Sequence, residues 1–127
     1  MRVLCGTDII DVNRIKRSLE SNTGFAAKIF TVGEIEYCES RKAGRYESYA
    51  ARFAAKEAFL KALGIGLYSG AALPEIEIAN DAATGAPTLN LYGGAAELYG
   101  RTGGASLAVS LSHTAETALA TVVILCD

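Results

Sequence analysis

Residues 52–63 read Arg52-Phe53-Ala54-Ala55-Lys56-Glu57-Ala58-Phe59-Leu60-Lys61-Ala62-Leu63. Alanine, leucine, lysine and glutamate are strong helix formers, and Gly64 supplies a C-terminal stop. A surface helix carries one apolar stripe opposite one polar face. This one does not. At ~100° per residue, Phe53 and Leu60 fall together, Ala54, Ala55, Ala58 and Ala62 form a second patch, and Phe59 with Leu63 a third. The polar residues fit two narrow gaps, Arg52 with Lys56 and Glu57 with Lys61. A helix that is apolar nearly all round leaves its glutamate to be explained.

Outward from this helix, the upstream chain reads as helices after one strand. Residues 2–10 are short and β-rich. Asp11 is placed to cap a helix whose apolar stripe is Val12, Ile15 and Leu19, with Arg14, Lys16 and Arg17 on its exposed side. Residues 21–24 form a loop and 25–30 a short helical piece. Thr31 with Glu34 three residues on matches a capping box, so a helix runs over 32–40. A charged link, 41–45, leads into the long helix. Downstream the pattern changes. Ile76 with Ile78 and Leu89 with Leu91 alternate on either side of the turn-rich NDAATGA at 80–86, which predicts a hairpin-like pair. Glycines bound a short helix at 94–100, and residues 105–111 and 118–126 are strong strand candidates joined by the polar link 112–117. Helices mainly in the N-terminal half, packed on a largely antiparallel sheet, make one α+β domain over 1–127.

Composition narrows the function classes. Half of the 127 residues are hydrophobic and a fifth are charged, as in ordinary globular proteins. The net charge of −2 gives no basic field for nucleic acid. The apolar excess leaves room for a buried subunit interface. No N-terminal targeting pattern and no window of ~20 apolar residues is found, so no membrane span is expected and the cytoplasm is the default. Cys5, Cys38 and Cys126 each sit among apolar residues and read as buried thiols in a reducing compartment. A single histidine excludes a multi-histidine zinc site within one chain.

Two acids stand out. Asp8 lies in an apolar strand, where a carboxylate is costly unless paired or metal-bound; alternatively it marks the strand end or caps the next turn. Glu57 precedes Lys61 by four residues, the favoured order for a surface ion pair, or the two line a cleft. Two carboxylates from separate elements suit Mg²⁺, which fills its other positions with water and phosphate oxygens. A nearby lysine would stabilise transferring phosphoryl charge. His113, at a strand exit, reads as a structural hydrogen-bonding residue or a ligand contact. Gly64-Ile65-Gly66 reads as a helix C-cap and turn or as a phosphate-approaching loop. Arg14, Lys16 and Arg17 form a solvated face or a docking face for an acidic partner.

Taken in order, Gly6-Thr7-Asp8-Ile9 with Arg14-Ile15, then Arg52-Phe53-Ala54-Ala55-Lys56-Glu57-Ala58 with Lys61-Ala62, then Gly85-Ala86-Pro87, then Leu111-Ser112-His113-Thr114 resemble the short, single-unit 4′-phosphopantetheinyl transferases, the holo-[acyl-carrier-protein] synthase family. The likeness spans nearly the whole chain. It implies the 4′-phosphopantetheinyl transferase fold, and transfer of the 4′-phosphopantetheine arm of coenzyme A to a serine of an apo acyl carrier protein, with release of 3′,5′-ADP. Asp8 and Glu57 would hold Mg²⁺ on the coenzyme A pyrophosphate, and Lys61 would stabilise the leaving group. Arg52 and His113 would contact nucleotide phosphates, and Gly64 and Gly66 would let the backbone approach the ligand. Glu57, directly or through a metal-bound water, would accept the serine proton. Arg14 would dock the acidic carrier, with Lys16 and Arg17 as neighbours. The resemblance also implies a homotrimer with sites between adjacent subunits. Cys5-Gly6-Thr7-Asp8 departs from the usual Gly-Ile-Gly-x-Asp, Ala51 stands where a glycine is common, and Thr84-Gly85-Ala86-Pro87 lacks the basic residue of the usual turn. None of these changes removes a metal ligand.

Overall fold

The long apolar helix, α4 (Arg45–Ala62), is the axis of the computed structural model, which describes residues 1–65 and 70–127. Its small side chains explain why other elements close so tightly around it. Ala50, Ala54, Ala55 and Ala58 are fully buried, as are Phe59 and Leu60 near the end of the helix.

Strand β1 (Arg2–Asp11) crosses α4 at Gly6. A Cβ at Gly6 would lie 2.0 Å from the Ala58 carbonyl oxygen and 2.5 Å from the Ala62 amide nitrogen. Only glycine permits that approach, whatever its φ. β1 runs antiparallel to β5 (Thr117–Cys126), which runs antiparallel to β4 (Gly104–His113), in the order β1-β5-β4. Along β5 every second residue, Ala118, Ala120, Val122, Ile124 and Cys126, is completely buried. The partners of these residues across the register, Gly6, Asp8 and Ile10 on β1 and Leu107, Val109 and Leu111 on β4, therefore share the face toward α4.

The opposite face of this sheet carries Val3, Cys5, Thr7 and Ile9 on β1, Leu119, Thr121, Val123 and Leu125 on β5, and serines and an alanine on β4. Apart from Asp11 at the far end of β1, no charged side chain stands on it. Val3 and Ile9 are 64 % and 65 % exposed.

The remaining elements pack on the other sides of α4. Helix α1 (Val12–Ser21) starts at Asp11, whose side chain accepts the Asn13 amide, and buries Val12 and Ile15. After α2 (Phe25–Ile29), helix α3 (Val32–Ser40) opens on the predicted capping box of Thr31 and Glu34. A second, two-stranded sheet pairs β2 (Ile76–Asn80) with β3 (Pro87–Leu91), and α5 (Gly93–Arg101) leads into β4.

The α+β class and the element order agree with the sequence reading. Three details differ. The strands divide into two sheets rather than one, because alternation marks which face is buried and not which strand is the neighbour. Cys38 and Cys126 are buried, but Cys5 is exposed because it stands on the open face of β1. The charged link contains a single helical turn, Lys42–Gly44, before α4 begins.

Candidate active site

Alternation along β1 points Asp8 toward α4, two residues beyond the Gly6 crossing. Asp8 is no strand-end cap, since β1 continues to Asp11 and the cap belongs to that residue. It meets the last turn of the helix: Lys61 Nζ donates to Asp8 Oδ1 at 2.9 Å and to the Thr7 carbonyl at 3.2 Å. The expected Glu57–Lys61 surface pair is therefore not the one that forms; Lys61 reaches across to the strand. Its side chain is 54 % exposed and that of Asp8 only 16 %, so water reaches the cation end of the bridge.

Glu57, one turn before Lys61, lines a notch with Asp8, Ile9, Ile10, Arg14 and Phe53. Burial, and then the neighbouring Asp8 charge, hold its carboxyl above the usual carboxylate range, while Lys61 and Arg14 pull the other way. The notch thus holds two acids on facing elements with two cations beside them. Two carboxylates with space for water and phosphate oxygens suit Mg²⁺. Among the described residues no cluster of three or more His, Cys, Asp or Glu side chains forms, so the donor set is unlike a structural zinc cage. Asp8 and Glu57 are the residues that could hold the ion.

The other predicted contacts lie elsewhere. Arg52 precedes Glu57 by five residues, which turns it ~140° around α4. Its guanidinium stacks over the Tyr37 ring at 4.2 Å and donates to Asn80 Oδ1 at 2.6 Å. Arg52, Tyr37, Asn80, Pro87, Leu111 and His113 line a separate cleft of about 310 Å³. His113, at the end of β4, is exposed there. One copy of the chain therefore carries two separate clusters, an acidic notch on one flank of α4 and a guanidinium and imidazole cleft on another.

Gly64 has φ +74° and ends α4, with Ile65 N–H donating to the Leu60 carbonyl and Gly64 N–H to that of Lys61. This is the glycine-terminated helix end anticipated as the plainer reading. Gly66 lies outside the described residues. On α1, Arg14 and Arg17 are exposed one turn apart, whereas Lys16 turns away and lies over the Tyr46 ring at 5.3 Å. Lys16 is thus half-buried in a larger cleft of about 540 Å³, beside Asp11, Glu47 and Glu116, and does not share the face of Arg14.

Sequence reasoning missed a buried ion pair. Lys56 Nζ donates to Glu34 Oε1 at 2.8 Å, and both side chains are wholly inaccessible. The Arg52–Lys56 gap hinted at a polar partner, but the capping box already accounted for Glu34. Tyr37 and Asn80 carried no signal in sequence.

A sequence profile of the 4′-phosphopantetheinyl transferase superfamily matches residues 4–122. The chain belongs to this superfamily. Among its relatives, the holo-[acyl-carrier-protein] synthase of Ruminiclostridium cellulolyticum is 55 % identical over 125 residues, covering 98 % of this chain and 92 % of the relative. The holo-[acyl-carrier-protein] synthase–coenzyme A complex from Chronobacterium ammoniagenes superposes with a TM-score of 0.85 at 28 % identity, over 100 % of this chain and 99 % of that one. The Bacillus anthracis enzyme, in complex with coenzyme A (3′,5′-ADP), gives a TM-score of 0.79 at 33 % identity over 98 % and 96 %. The α+β arrangement is therefore that of the transferase superfamily, with the acidic notch on the β1–α4 crossing.

Proposed function

We propose that this chain transfers the 4′-phosphopantetheine arm of coenzyme A to a serine of an apo acyl carrier protein, giving the holo carrier and 3′,5′-ADP. The observation that carries the reading is the meeting of Asp8, Glu57 and Arg14 in one notch of a transferase-superfamily chain, with Lys61 bonded to Asp8. Asp8 and Glu57 would hold Mg²⁺, which when bound neutralises charge on the pyrophosphate. The serine oxygen attacks the β-phosphorus in line, and the bond from that phosphorus to the bridging oxygen breaks. The bridging oxygen leaves with 3′,5′-ADP, and the serine proton passes to Glu57. Lys61 exchanges Asp8 for the phosphate oxygens and stabilises the leaving group.

Two features support an assembly of three copies with shared sites. The open face of the β1-β5-β4 sheet is apolar or uncharged over nearly all its length, as suits a buried interface. The two clusters on separate flanks of α4 would be half-sites, joined when copies pack side by side, bringing Arg52 and His113 of one to the notch of the next. Arg14 and Arg17 face outward beside the notch, where an acidic carrier would dock. The free cysteines suit a reducing, cytoplasmic setting, and no helix among the described residues is long and apolar enough to cross a membrane.

The direct test is to incubate the protein with coenzyme A, Mg²⁺ and apo carrier proteins and to weigh the carriers by mass spectrometry. A phosphopantetheine mass gain is expected on at least one. No gain with any of several fatty-acid and polyketide carriers would sink the reading.

A further inference from the structure

Three elements meet in two tiers on the flank of α4 that carries Arg52. In the buried tier, Glu34 of α3, Lys56 of α4 and the Ile78 amide of β2 converge. Glu34 Oε1 accepts from Lys56 Nζ at 2.8 Å and from the Thr31 amide at 2.9 Å, and Oε2 accepts from Ile78 N–H at 2.9 Å. Lys56 spends its other two donors on the Leu73 and Ile76 carbonyls, at 3.0 and 2.5 Å. All three Lys56 donors are used, both Glu34 oxygens accept, and both side chains are wholly inaccessible to solvent.

The outer tier repeats the same three elements one step further along each. Tyr37 follows Glu34 by three residues on α3, Arg52 precedes Lys56 by four on α4, and Asn80 follows Ile78 by two on β2. These are the spacings that keep side chains on one face of a helix or strand. The Arg52 guanidinium lies on Tyr37 and is tied to Asn80, it is 97 % buried, and its Nε has no partner among the described residues.

We propose that the buried Lys56–Glu34 pair is a positioning device for Arg52: it locks α3, α4 and β2 in the one register that holds the guanidinium flat between Tyr37 and Asn80, ready for a phosphate. This inference rests on the reading above that Arg52 contacts the nucleotide phosphates. A long arginine loses much rotamer freedom when it binds an anion, and preorganisation removes that cost from the binding step. An apolar substitute for the pair would pack the three elements without fixing their register, since hydrophobic contact is not directional.

The test is a cycle read by titration calorimetry with 3′,5′-ADP, independent of turnover. The variants are Arg52→Ala, the paired replacement Glu34→Gln with Lys56→Met, and all three changes together. The paired replacement avoids stranding one buried charge, and Glu34→Gln alone serves as a milder second variant. Arg52→Ala should weaken binding about tenfold, as loss of a charge-assisted contact does. The paired replacement should cost nearly as much in the Arg52 background and almost nothing in the Arg52→Ala background. A purely structural pair would lower the melting temperature yet leave the dissociation constant unchanged, or weaken it equally in both backgrounds; either result overturns the inference and leaves the Arg52 contact standing. If Arg52→Ala itself leaves binding unchanged, the phosphate contact fails and this inference fails with it.

Discussion

A carboxyl that binds its proton more tightly in the folded protein than in the unfolded chain destabilises the fold once it ionises. Glu57 is in that position. Between the ordinary carboxylate value and the raised one, the folded state holds more protons, so stability falls as pH rises across that window. Glu57→Gln removes the ionisation. It should raise the melting temperature at about pH 8, with the gain vanishing near about pH 3, where glutamate is protonated in both states. The same variant should abolish transfer. Melting curves that track the wild type at both pH values would show that Glu57 carries no such burden, and near-normal turnover would remove it from the site. At this scale the sequence was half legible. Asp8 and Glu57 stood out because each was the wrong residue for its surroundings, and Lys61 because it follows Glu57 by four. Their pairing did not, because a local partner four residues away explained Lys61 as well as the real one does, and Asp8 is separated from it by most of the first half of the chain. Glu34 was hidden for a related reason: its backbone cap is real, and the same carboxylate also holds Lys56.

Between elements, the decisive contact is the β1–α4 crossing. Gly6 is the place where strand backbone touches helix backbone, and neither can bend away like a flexible side chain. Gly6→Ala should therefore destabilise by about 3 kcal/mol or more, measured by chemical denaturation. It should also separate Asp8 from Lys61, so the folded remainder should lose activity. A cost below about 1 kcal/mol would mean that the crossing tolerates a methyl group and that the alanines of α4 are not set by close approach. The helices, the capping box and the turn at 80–86 were legible because caps, periodicity and turn residues act locally. The division into two sheets was not, since strand pairing is decided by partners that no local pattern names.

For the molecule as a whole, two surfaces carry the expectations. Arg14 lines the notch on its outer side, so Arg14→Glu should raise KM for the carrier protein, and added salt should shrink the difference. An unchanged carrier KM would argue against docking on α1. On the open sheet face, Ile9→Lys would bury a charge in the interface of the proposed trimer. Sedimentation should then report a monomer, with activity lost because the half-sites part company; a wild-type mass with full activity would refute the shared-site arrangement. The strand order has one more result. Among the described residues β1 pairs only with β5, with Asp8 opposite Ala120, so β1 must wait for β5. Such long-range pairing is slow to form, and during synthesis it cannot begin until β5 has left the ribosome. The nascent chain can build α1, α3 and α4 early, but it holds no finished notch. On the proposed reading, a nascent chain that still lacks β5 has no notch in which to hold coenzyme A.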